Sequence, residues 1–589
     1  MTRVAIAGGF AFLVSVVLTM VVKRVALRIG AVATPKADRW HRTRIPLLGG
    51  VAIAGAVVAG AAAVPIRDPG MLLLLAGGLT LLAVGAIDDA RPLKPQSKLV
   101  AQIVVAAALA GLGLQLRLTG YPPLDIVLTL VWIVGITNAI NLLDNMDGLA
   151  TGIAALAAGF RLAFYIADGN AEGASFAAVI VGALLGFLVH NFNPASIFMG
   201  DAGSLFIGVL VSGLSLVGGW PYSRSLVSVL LFPVLLLLVP IFDTTFVTFA
   251  RTLAGRPISM GGRDHTSHRL VALGLSERAA VLLLYLVAVA AGAIAFVSYR
   301  TGLSQMVALI AFFAIGLALF GVFLGRLQVY PADQERRAAG AGVVRLISAF
   351  TYTHQIATVC IDAVLVVLAY YTAYLLRFEG RLDPEVPAFV QSLPVVLVCQ
   401  LAAFALFRVY QGMWRYTSVS DFIRLAQAAT VGTIAAVLAL LFLTRFAGYS
   451  RAVFVIDWLL LVTSVGAARL SFRALSETFR RRAPDGGRRV LIYGAGDGGV
   501  MVVRELLNNH ALGREAVAFL DDDRSKHRTR IQRLPVIGGL DALARAVHTT
   551  GATEVIVSSS KVPESSIQEL ASAAGALGVT VVRATLKLE

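Results

Sequence analysis

Charged residues are scarce in this chain. Asp, Glu, Lys and Arg together make up 14% of its 589 residues, whereas a soluble domain has about 25%. Hydrophobic residues make up 58%, and the mean hydropathy is +0.81. This balance excludes a water-soluble globule, a disordered chain and a fibrous protein. It predicts a polytopic membrane protein with a smaller soluble part.

Cysteine is almost absent as well. Cys360 and Cys399 both lie in apolar runs, so neither a disulfide framework nor a zinc site is expected. The net charge is +16, which in a membrane protein indicates cytoplasmic loops rich in Lys and Arg. Because no basic stripe interleaved with aromatic residues accompanies this charge, nucleic acid is not an expected partner.

Long apolar runs define the organisation of the chain. Runs of about 20 residues can cross the bilayer core as helices, and we predict eleven of them before residue 330 and four after it. The predicted spans are 4–22, 48–66, 70–87, 99–116, 124–142, 149–166, 174–190, 204–219, 225–246, 279–297, 304–324, 353–376, 389–409, 424–443 and 451–470. The predicted domains are a membrane domain at 1–325, a cytoplasmic linker at 326–350, a four-helix module at 351–475 and an α/β domain at 485–589.

Loop charges orient these helices. Lys23, Arg24 and Arg28 follow the first run, which places the N-terminus outside and the next loop inside. We therefore expect a multi-pass protein of the plasma membrane with one cytoplasmic active face. The segments that parity places inside are 23–47, 88–98, 143–148, 191–203 and 247–278, the linker and everything after residue 470.

Carboxylates cluster at the inner ends of the spans in the first half. Asp88 and Asp89 end the third span, and Lys98 follows them. A carboxylate pair at a membrane boundary is costly unless a cation or water relieves it, so these residues indicate a Mg²⁺ or phosphate site. Taken alone, the pair is also typical of a solvated helix end.

A second polar motif, NAINLLDNMDGLATG, ends the fifth span. It contains Asn138, Asn141, Asp144 and Asp147. Asn141 and Asp144 are three residues apart, so a continuous helix would place them on one face. Buried amides need hydrogen-bond partners, which a nucleotide would provide. The alternative interpretation is a helix terminus with capping residues.

Two further motifs complete the set. FMGDAGSL places Asp201 on a glycine-rich turn before the eighth span, where it suits Mg²⁺, an ion that takes one or two carboxylates plus substrate phosphates. GRPISMGGRDHTSHRL contains Arg263, His265 and His268. Clustered His and Arg without cysteine favour a diphosphate over structural zinc. The alternative for this last motif is an ordinary basic loop.

In this order, the four motifs resemble the polyprenyl-phosphate N-acetylhexosamine-1-phosphate transferase family over residues 1–325. The resemblance implies that a polyprenyl phosphate attacks the β-phosphorus of a UDP-sugar. Sugar-1-phosphate then moves to the lipid and UMP leaves, as the first membrane step of cell-surface glycan synthesis. The expected cofactor is Mg²⁺ or Mn²⁺. The expected partners are the lipid, the UDP-sugar and the bilayer, with a homodimer left open.

The resemblance also implies roles for the motif residues. Catalytic roles are expected for Asp88, Asp89, Asp144, Asp147 and Lys98, and metal binding for Asp201 and Asp88. Substrate contacts are expected from Asn138, Asn141, Asn191, Arg263, His265 and His268. Asn145 stands where the family usually has Gly. The last motif lacks the adjacent histidines of the peptidoglycan translocase, which favours a simple sugar over a muramoyl-pentapeptide.

The second half resembles the membrane and Rossmann-like region of membrane-anchored nucleoside-diphosphate-sugar dehydratases and epimerases. The sequences LFRVYQGMWRYTS and GAGDGG carry this resemblance. Strands alternate with helices over residues 485–589, which predicts a small doubly wound parallel sheet. Gly494, Gly496, Gly499 and Asp521 are expected to bind a nucleotide or NAD-like ligand. The alternative is a Rossmann-like domain whose cleft is purely structural.

Two alternatives remain for the whole chain. The second half could also modify the nucleotide sugar, but no Tyr-x-x-x-Lys pair follows residue 480, and the family's catalytic domain would begin only beyond Glu589. We therefore expect a regulatory or scaffolding role for it. A transporter of lipid-linked sugar is the other alternative. That function predicts charges near the midplane of several spans, whereas the carboxylates here cluster at inner ends.

Overall fold

A computed structural model describes most of the chain. It describes residues 1–33, 45–218, 226–253, 256, 262, 264–301, 303–325, 351–380, 385–410, 419–446, 448–480, 488–508, 512–527, 529–532, 534–558 and 563–584. The predicted linker 326–350, the predicted site residue Arg263 and residues 411–418 of the LFRVYQGMWRYTS motif lie outside them. The chain forms two compact units, Met1–Arg473 and Ala474–Glu589.

The first half of the chain is helical. Its helices are α1 (Thr2–Ile29), α2 (Gly49–Ala62), α3 (Pro69–Ala90), α4 (Pro95–Gly111), α5 (Pro122–Leu143), α6 (Leu149–Ala167), α7 (Ala171–Asn191), α8 (Gly200–Leu214), α9 (Leu226–Leu236), α10 (Leu238–Leu253), α11 (Thr266–Ala272), α12 (Glu277–Thr301) and α13 (Leu303–Gly325). A short antiparallel pair, β1 (Val32–Ala33) and β2 (Ile45–Pro46), joins α1 to α2. Each predicted span of this half coincides with helix, and the short helix α11 was not predicted.

Not every helix is long enough to cross a bilayer. In both halves of the chain, the described residues contain nine helices that are long and apolar enough to cross a membrane. The number is ten if α9 and α10 form one bent span. The apolar helices Gly49–Ala62, Gly200–Leu214 and Leu309–Gly325 are shorter. The prediction of a polytopic α-helical membrane protein is confirmed. Fifteen crossings were predicted, which is more than the nine or ten described helices that are long enough to cross a bilayer.

The ninth predicted span, 225–246, was predicted as one helix. The structure corrects this prediction, because two helices, α9 and α10, occupy the segment. α9 and α10 meet at an angle of 82°. Pro233 lies inside α9, and Pro240 lies in the first turn of α10. Proline has no backbone N–H, so residue 240 cannot donate to the carbonyl of residue 236 and the helix breaks there. The first turn of a helix tolerates this loss, which is why α10 begins at this point.

Helix α8 is the packing centre of the first half. It contacts α2, α3, α5 and α6, and Ala202–Leu214 are buried throughout. Gly85 of α3 allows a close approach, since a Cβ there would lie 2.5 Å from the backbone of Ala202. Gly50 of α2 is equally confined, with Gly203 N 2.3 Å from its Cβ position. These contacts bring the start of α2 and the end of α3 against the start of α8.

Four helices follow in the same unit. They are α14 (Thr351–Arg377), α15 (Val386–Leu406), α16 (Val419–Thr444) and α17 (Arg451–Arg480). They share one apolar core, against which half-buried Cys399 packs as a free thiol. Asp362 of α14 and Arg469 of α17 form a buried ion pair at 3.0 Å. Because an unpaired charge is costly in a bilayer, this pairing stabilises the contact between the two helices.

The second unit contains a six-stranded sheet. Its elements are β3 (Arg488–Tyr493), α18 (Asp497–Asn508), β4 (Arg514–Leu520), β5 (Arg530–Ile531), β6 (Leu534–Gly538), α19 (Leu543–Thr550), β7 (Glu554–Val557), α20 (Glu564–Ala576) and β8 (Thr580–Arg583). The strand order is β5-β6-β4-β3-β7-β8, and only β5 is antiparallel to its neighbour among these strands. The predicted doubly wound α/β fold is confirmed, and β5 is an addition to it. The order reverses at β3, whose carboxyl end is the usual ligand position in such sheets.

Candidate active site

The junction of α3 and α8 is built around Asp89. Its Oδ1 accepts a hydrogen bond from Asp201 N at 2.9 Å, and its Oδ2 accepts one from Ala202 N at 3.0 Å. These amides belong to the first turn of α8 and have no partner within the helix. Gly200 makes the contact feasible, because its φ is +71° and a Cβ there would lie 2.5 Å from Asp89 Oδ2. Asp89 therefore positions Asp201, and its expected catalytic role stays a prediction.

Lys98 joins the two carboxylates that the sequence proposed as metal ligands. Its Nζ donates to Asp88 Oδ2 at 2.9 Å and to Asp201 Oδ2 at 2.8 Å. The backbone N–H of Leu93 donates to Asp88 Oδ1 at 2.6 Å. Residues from α3, α4 and α8 thus meet in one cluster, defined here as the acidic cluster of Asp88, Asp89, Asp201 and Lys98. The predicted association of these four residues is what the structure shows.

Asn141 connects α5 to this cluster. Its Nδ2 donates to Asp201 Oδ1 at 3.1 Å and to Ser204 Oγ at 2.7 Å. Both oxygens of Asp201 are therefore directed by protein donors, Lys98 on one side and Asn141 on the other. The sequence predicted Asn141 as a substrate contact, and its observed contacts hold the proposed metal ligand in place.

The acidic cluster suits Mg²⁺ by its donor chemistry. The described residues contain no group of three or more His, Cys, Asp or Glu arranged to hold a metal ion. Mg²⁺ does not require one, because it commonly binds through one or two carboxylates and completes its shell with water and substrate phosphates. Asp88 and Asp201 provide two carboxylates within 3 Å of one ammonium group. These residues therefore fit a Mg²⁺ ion shared with a phosphate ligand.

Asn138 and Asn191 have partners within the protein. Asn138 Nδ2 donates to Gln102 Oε1 at 2.6 Å, and Gln102 Nε2 donates back at 3.3 Å. Asn191 is buried, donates to Ile197 O at 3.0 Å and accepts from Thr151 Oγ1 at 3.0 Å. The buried amides of this region are thus satisfied without a nucleotide. Direct substrate contact by either residue stays a prediction.

Asp147 lies in a separate hydrogen-bonded group. Its Oδ2 accepts from Ala195 N at 2.8 Å and from Asn193 Nδ2 at 3.3 Å, and Asn193 also donates to Glu277 Oε2 at 2.8 Å. Asp147 therefore ties the end of the second motif to the turn after α7. Asp144 is half-buried at the C-terminus of α5. A catalytic role for either carboxylate stays a prediction.

The fourth motif is fastened to α10 by two adjacent pairs. His265 Nδ1 contacts Asp243 Oδ2 at 2.7 Å, and Thr266 N donates to Asp243 Oδ1 at 2.7 Å. Arg251 binds Asp264 through two hydrogen bonds of 2.8 and 2.6 Å. Burial opposes ionisation of Asp264, but Arg251 outweighs it and lowers the pKa of this carboxyl. Asp243 was missed by the sequence analysis, because it lies 22 residues from its partner inside an apolar span.

The fourth motif also contacts the second. Ser267 Oγ donates to Asn145 Oδ1 at 2.6 Å, and Asn145 lies one helical turn after Asn141 in the chain. The rings of His265 and His268 are 6.0 Å apart, edge to face. Asn145, where the family usually has Gly, is therefore the residue through which α11 reaches the turn beside the acidic cluster.

The glycine turn of the second unit has an internal carboxylate partner. Ala495 N donates to Asp521 Oδ2 at 2.7 Å, and Lys526 Nζ lies 3.0 Å from the same oxygen. Asp523 N donates to Asp521 Oδ1 at 2.9 Å. Burial alone would raise the pKa of Asp521, but these hydrogen bonds and Lys526 outweigh it and lower the pKa. Asp521 therefore braces the glycine turn, and its predicted contact with a nucleotide stays a prediction.

The three predicted glycines have different surroundings. Gly494 has φ +101°, a conformation that favours glycine. A Cβ at Gly499 would lie 2.0 Å from Gly494 O, so Gly499 is needed for close packing of α18 on the turn. A Cβ at Gly496 would meet no atom within 4 Å. The open space beside this turn therefore lies over Gly496.

The first half of the chain is similar in sequence to known transferases. Residues 71–219 match the model of glycosyl transferase family 4. The chain is 39% identical over 297 residues to a probable undecaprenyl-phosphate N-acetylglucosaminyl 1-phosphate transferase of Bacillus subtilis, covering 49% of this chain and 82% of that protein. It is 34% identical over 346 residues to the decaprenyl-phosphate N-acetylglucosaminephosphotransferase of Mycolicibacterium smegmatis, covering 52% and 85% respectively.

Two further matches cover a shorter part of the chain and its second half. A phospho-N-acetylmuramoyl-pentapeptide-transferase of Limosilactobacillus fermentum is 36% identical over 155 residues, covering 23% of this chain and 49% of that protein. Residues 405–583 match the model of a CoA-binding domain. That match includes α16 and α17 together with the α/β unit, so the similarity extends across the boundary at which the chain divides into two units.

Proposed function

We propose the reaction of this chain from the premise that it belongs to the family of polyprenyl-phosphate N-acetylglucosamine-1-phosphate transferases. It transfers a sugar-1-phosphate from a UDP-sugar, UDP-N-acetylglucosamine on the pattern of these relatives, to a polyprenyl phosphate and releases UMP. The observation that carries this proposal is the acidic cluster, in which Lys98 bridges Asp88 and Asp201 at the meeting point of three helices. The transfer is the first membrane step in the synthesis of a cell-surface glycan.

The residues of the cluster provide positioning and charge. A phosphate oxygen of the lipid attacks the β-phosphorus of the UDP-sugar, the bond from that phosphorus to the bridging oxygen breaks, and UMP leaves with both electrons. Phosphoryl transfer of this kind depends on alignment and charge neutralisation more than on covalent chemistry. Lys98 holds a positive charge between the two carboxylates, and Asp89 and Asn141 fix the position of Asp201.

Mg²⁺ is the cofactor that this donor set favours. Asp201 and Asp88 would hold the ion, which supplies charge neutralisation at the diphosphate when it is bound. Mn²⁺ has the same preference for carboxylate and water ligands. The ammonium group of Lys98 lies between these carboxylates and would add positive charge beside the ion and the phosphates.

A radiolabel assay tests the reaction. Purified protein is incubated with polyprenyl phosphate, Mg²⁺ and a panel of labelled UDP-sugars, and lipid-linked product and UMP are measured. Product from UDP-N-acetylglucosamine, with UMP in equal amount, supports the proposal. A transporter of lipid-linked sugar would make no such product in detergent solution. Absence of product from every UDP-sugar, with protein of intact fold, would refute the assignment.

We also propose that the acidic cluster faces the cytoplasm of the cell membrane, where UDP-sugars are available. The loop charges and the span order of the sequence support this orientation. Single cysteines in loops 88–98, 191–203 and 247–278 and after residue 485, in a chain without Cys360 and Cys399, should react with a thiol reagent only from the cytoplasmic side. Reaction of any one of these positions from outside would contradict a common active face.

For the second half we propose a regulatory or scaffolding role with a nucleotide-type ligand. The open space over Gly496 at the carboxyl end of β3 supports a ligand, and Tyr493 is the only tyrosine after residue 480. Short-chain dehydrogenases need a Tyr and a Lys four residues later to move a proton. A second catalytic activity would therefore need other groups. Detection of a 4-keto sugar formed by the protein from a UDP-sugar would overturn this proposal.

A further inference from the structure

Two buried pairs fasten the same loop to the same helix, and only one of them contains a histidine. Arg251–Asp264 and Asp243–His265 both connect α10 to the segment that leads into α11. Their side chains are similarly buried, with exposures of 7% and 4% in the first pair and 2% and 7% in the second. Arg251–Asp264 already fixes the loop one residue before His265. A second charged anchor at the next residue is therefore unnecessary for attachment alone.

The contacts of Asp243 determine how the His265 ring is held. A carboxylate has no proton to donate, so the Nδ1–H of His265 donates to Asp243 Oδ2. The other oxygen accepts from the Thr266 backbone at 2.7 Å, which fixes the carboxylate itself. The proton is thereby held on Nδ1, and Nε2 is the ring atom left to meet a ligand. A carboxylate behind an imidazole commonly sets the ring's tautomer and orientation in this way.

Both apolar and polar residues lie around the pair. A small cavity beside Asp243 and Thr266 is lined by apolar residues of α12 and α13, namely Leu284, Val287, Leu317 and Phe320. Among the described residues, the charged or titratable groups near the pair include His268, whose ring lies 6.0 Å away, Asp264, which is bound by Arg251, and Arg269, which donates to Asp264 O. Ser267, two residues beyond His265, donates to Asn145 beside the cluster. The segment that carries His265 thus borders the apolar cavity through Thr266 and contacts the turn that follows Asn141 through Ser267.

We infer that Asp243 is a positioning residue for the transferase reaction: it holds His265 so that Nε2 meets the diphosphate of the UDP-sugar. This inference rests on the proposed function. Asp243 acts through the imidazole and touches no substrate. Asp264 and Arg251 hold the same loop through hydrogen bonds to each other, so they provide a matched structural control.

A double-mutant cycle on kcat/KM and on UDP-N-acetylglucosamine affinity tests this role. In Asp243→Asn, one oxygen becomes an NH₂ group, so Nδ1 and the Thr266 amide can no longer both find an acceptor. Loss of a residue that orients a functional histidine commonly lowers activity about 10- to 100-fold. If Asp243 acts through His265, the double variant Asp243→Asn/His265→Gln is no slower than His265→Gln alone, within about twofold.

The control cycle combines Asp264→Asn with His265→Gln, and the two losses should multiply because Asp264 does not act through the imidazole. Multiplying losses in the Asp243 cycle, at unchanged thermal stability, would overturn the inference. If Asp243→Asn does not fold, Asp243→Ser replaces it in the same cycle. Affinity for the UDP-sugar is measured independently of turnover. A wild-type protein that binds the sugar nucleotide but forms no lipid product would refute the proposed reaction, while the cycle on affinity would still decide the role of Asp243.

Discussion

Substitution of Asp89 by Asn tests whether the start of α8 is held in place for the reaction. Asp89 uses both carboxylate oxygens, one for Asp201 N at 2.9 Å and one for Ala202 N at 3.0 Å. Asn has the same shape but only one acceptor oxygen. Its NH₂ group must then face one of the two backbone N–H groups, so two donors oppose each other at the residue beside the proposed metal ligand.

The expected loss follows from these contacts. A buried amide without an acceptor costs about 1–3 kcal/mol, and loss of a negative charge at a helix N-terminus costs about 0.3–1 kcal/mol. The first turn of α8 then favours other positions over the productive one by about 1.3–4 kcal/mol in total. Because about 1.4 kcal/mol corresponds to a factor of ten, only the fraction that retains the productive geometry is active. We expect kcat/KM to fall roughly 10- to 1000-fold.

Asp68→Asn is the matched control in this chain. Asp68 caps α3, and its single oxygen Oδ1 accepts from both Gly70 N at 2.7 Å and Met71 N at 3.3 Å. Asn can make the same two hydrogen bonds and is as good an N-cap as Asp. The measurement is formation of lipid-linked product and UMP at saturating Mg²⁺. If Asp89→Asn retains more than half of the wild-type kcat/KM, the positioning role of Asp89 is refuted.

Three further predictions concern the metal, the glycine turn and acid stability. Asp201→Asn should form no lipid-linked product while keeping its fold, and EDTA should stop the wild-type reaction; full turnover of the variant in Mg²⁺ would contradict the metal site. Gly496→Val should abolish nucleotide binding measured by calorimetry without lowering the unfolding temperature, whereas Gly499→Ala should lower it, because only at Gly499 would a Cβ clash with backbone. The folded pKa of Asp521 lies below its ordinary value of 3.8, so its stabilisation is present at neutral pH and is lost as the pH falls from about 5 toward 3. Asp521→Asn should weaken this acid dependence of thermal unfolding, and an unchanged dependence would contradict it.

Hydropathy and motif order were sufficient for the class of the protein. A continuous apolar run must form a helix in a bilayer, since backbone groups there have no water as partner. Each predicted span therefore overlaps helix, although 225–246 is divided between α9 and α10, and the α/β alternation after residue 485 predicted the sheet. Asp88, Lys98 and Asp201 were predicted to act together because carboxylates at inner helix ends are costly without a function.

Residue type and sequence neighbours were insufficient to predict the role of each carboxylate. Asp89 and Asp201 are both carboxylates beside glycine or another Asp, yet Asp89 binds two backbone amides and Asp201 binds Lys98 and Asn141. Likewise Asp521 binds the amide of Ala495, a contact across 26 residues. Nothing within a few residues of Asp89 or Asp201 predicts which donors their carboxylates bind, because those donors lie on other helices.

The sequence by itself determined which segments are buried in the membrane, which are strands, and which polar residues a membrane protein would retain only for function. These properties depend on side-chain hydrophobicity and spacing along the chain. Only the tertiary structure decided which carboxylates bind Lys98, which one caps α8 and which histidine has a carboxylate behind it. Those roles depend on distances between helices, and here close packing at Gly85 and Gly50 brings α2 and α3 onto α8 and so sets which donor meets which acceptor.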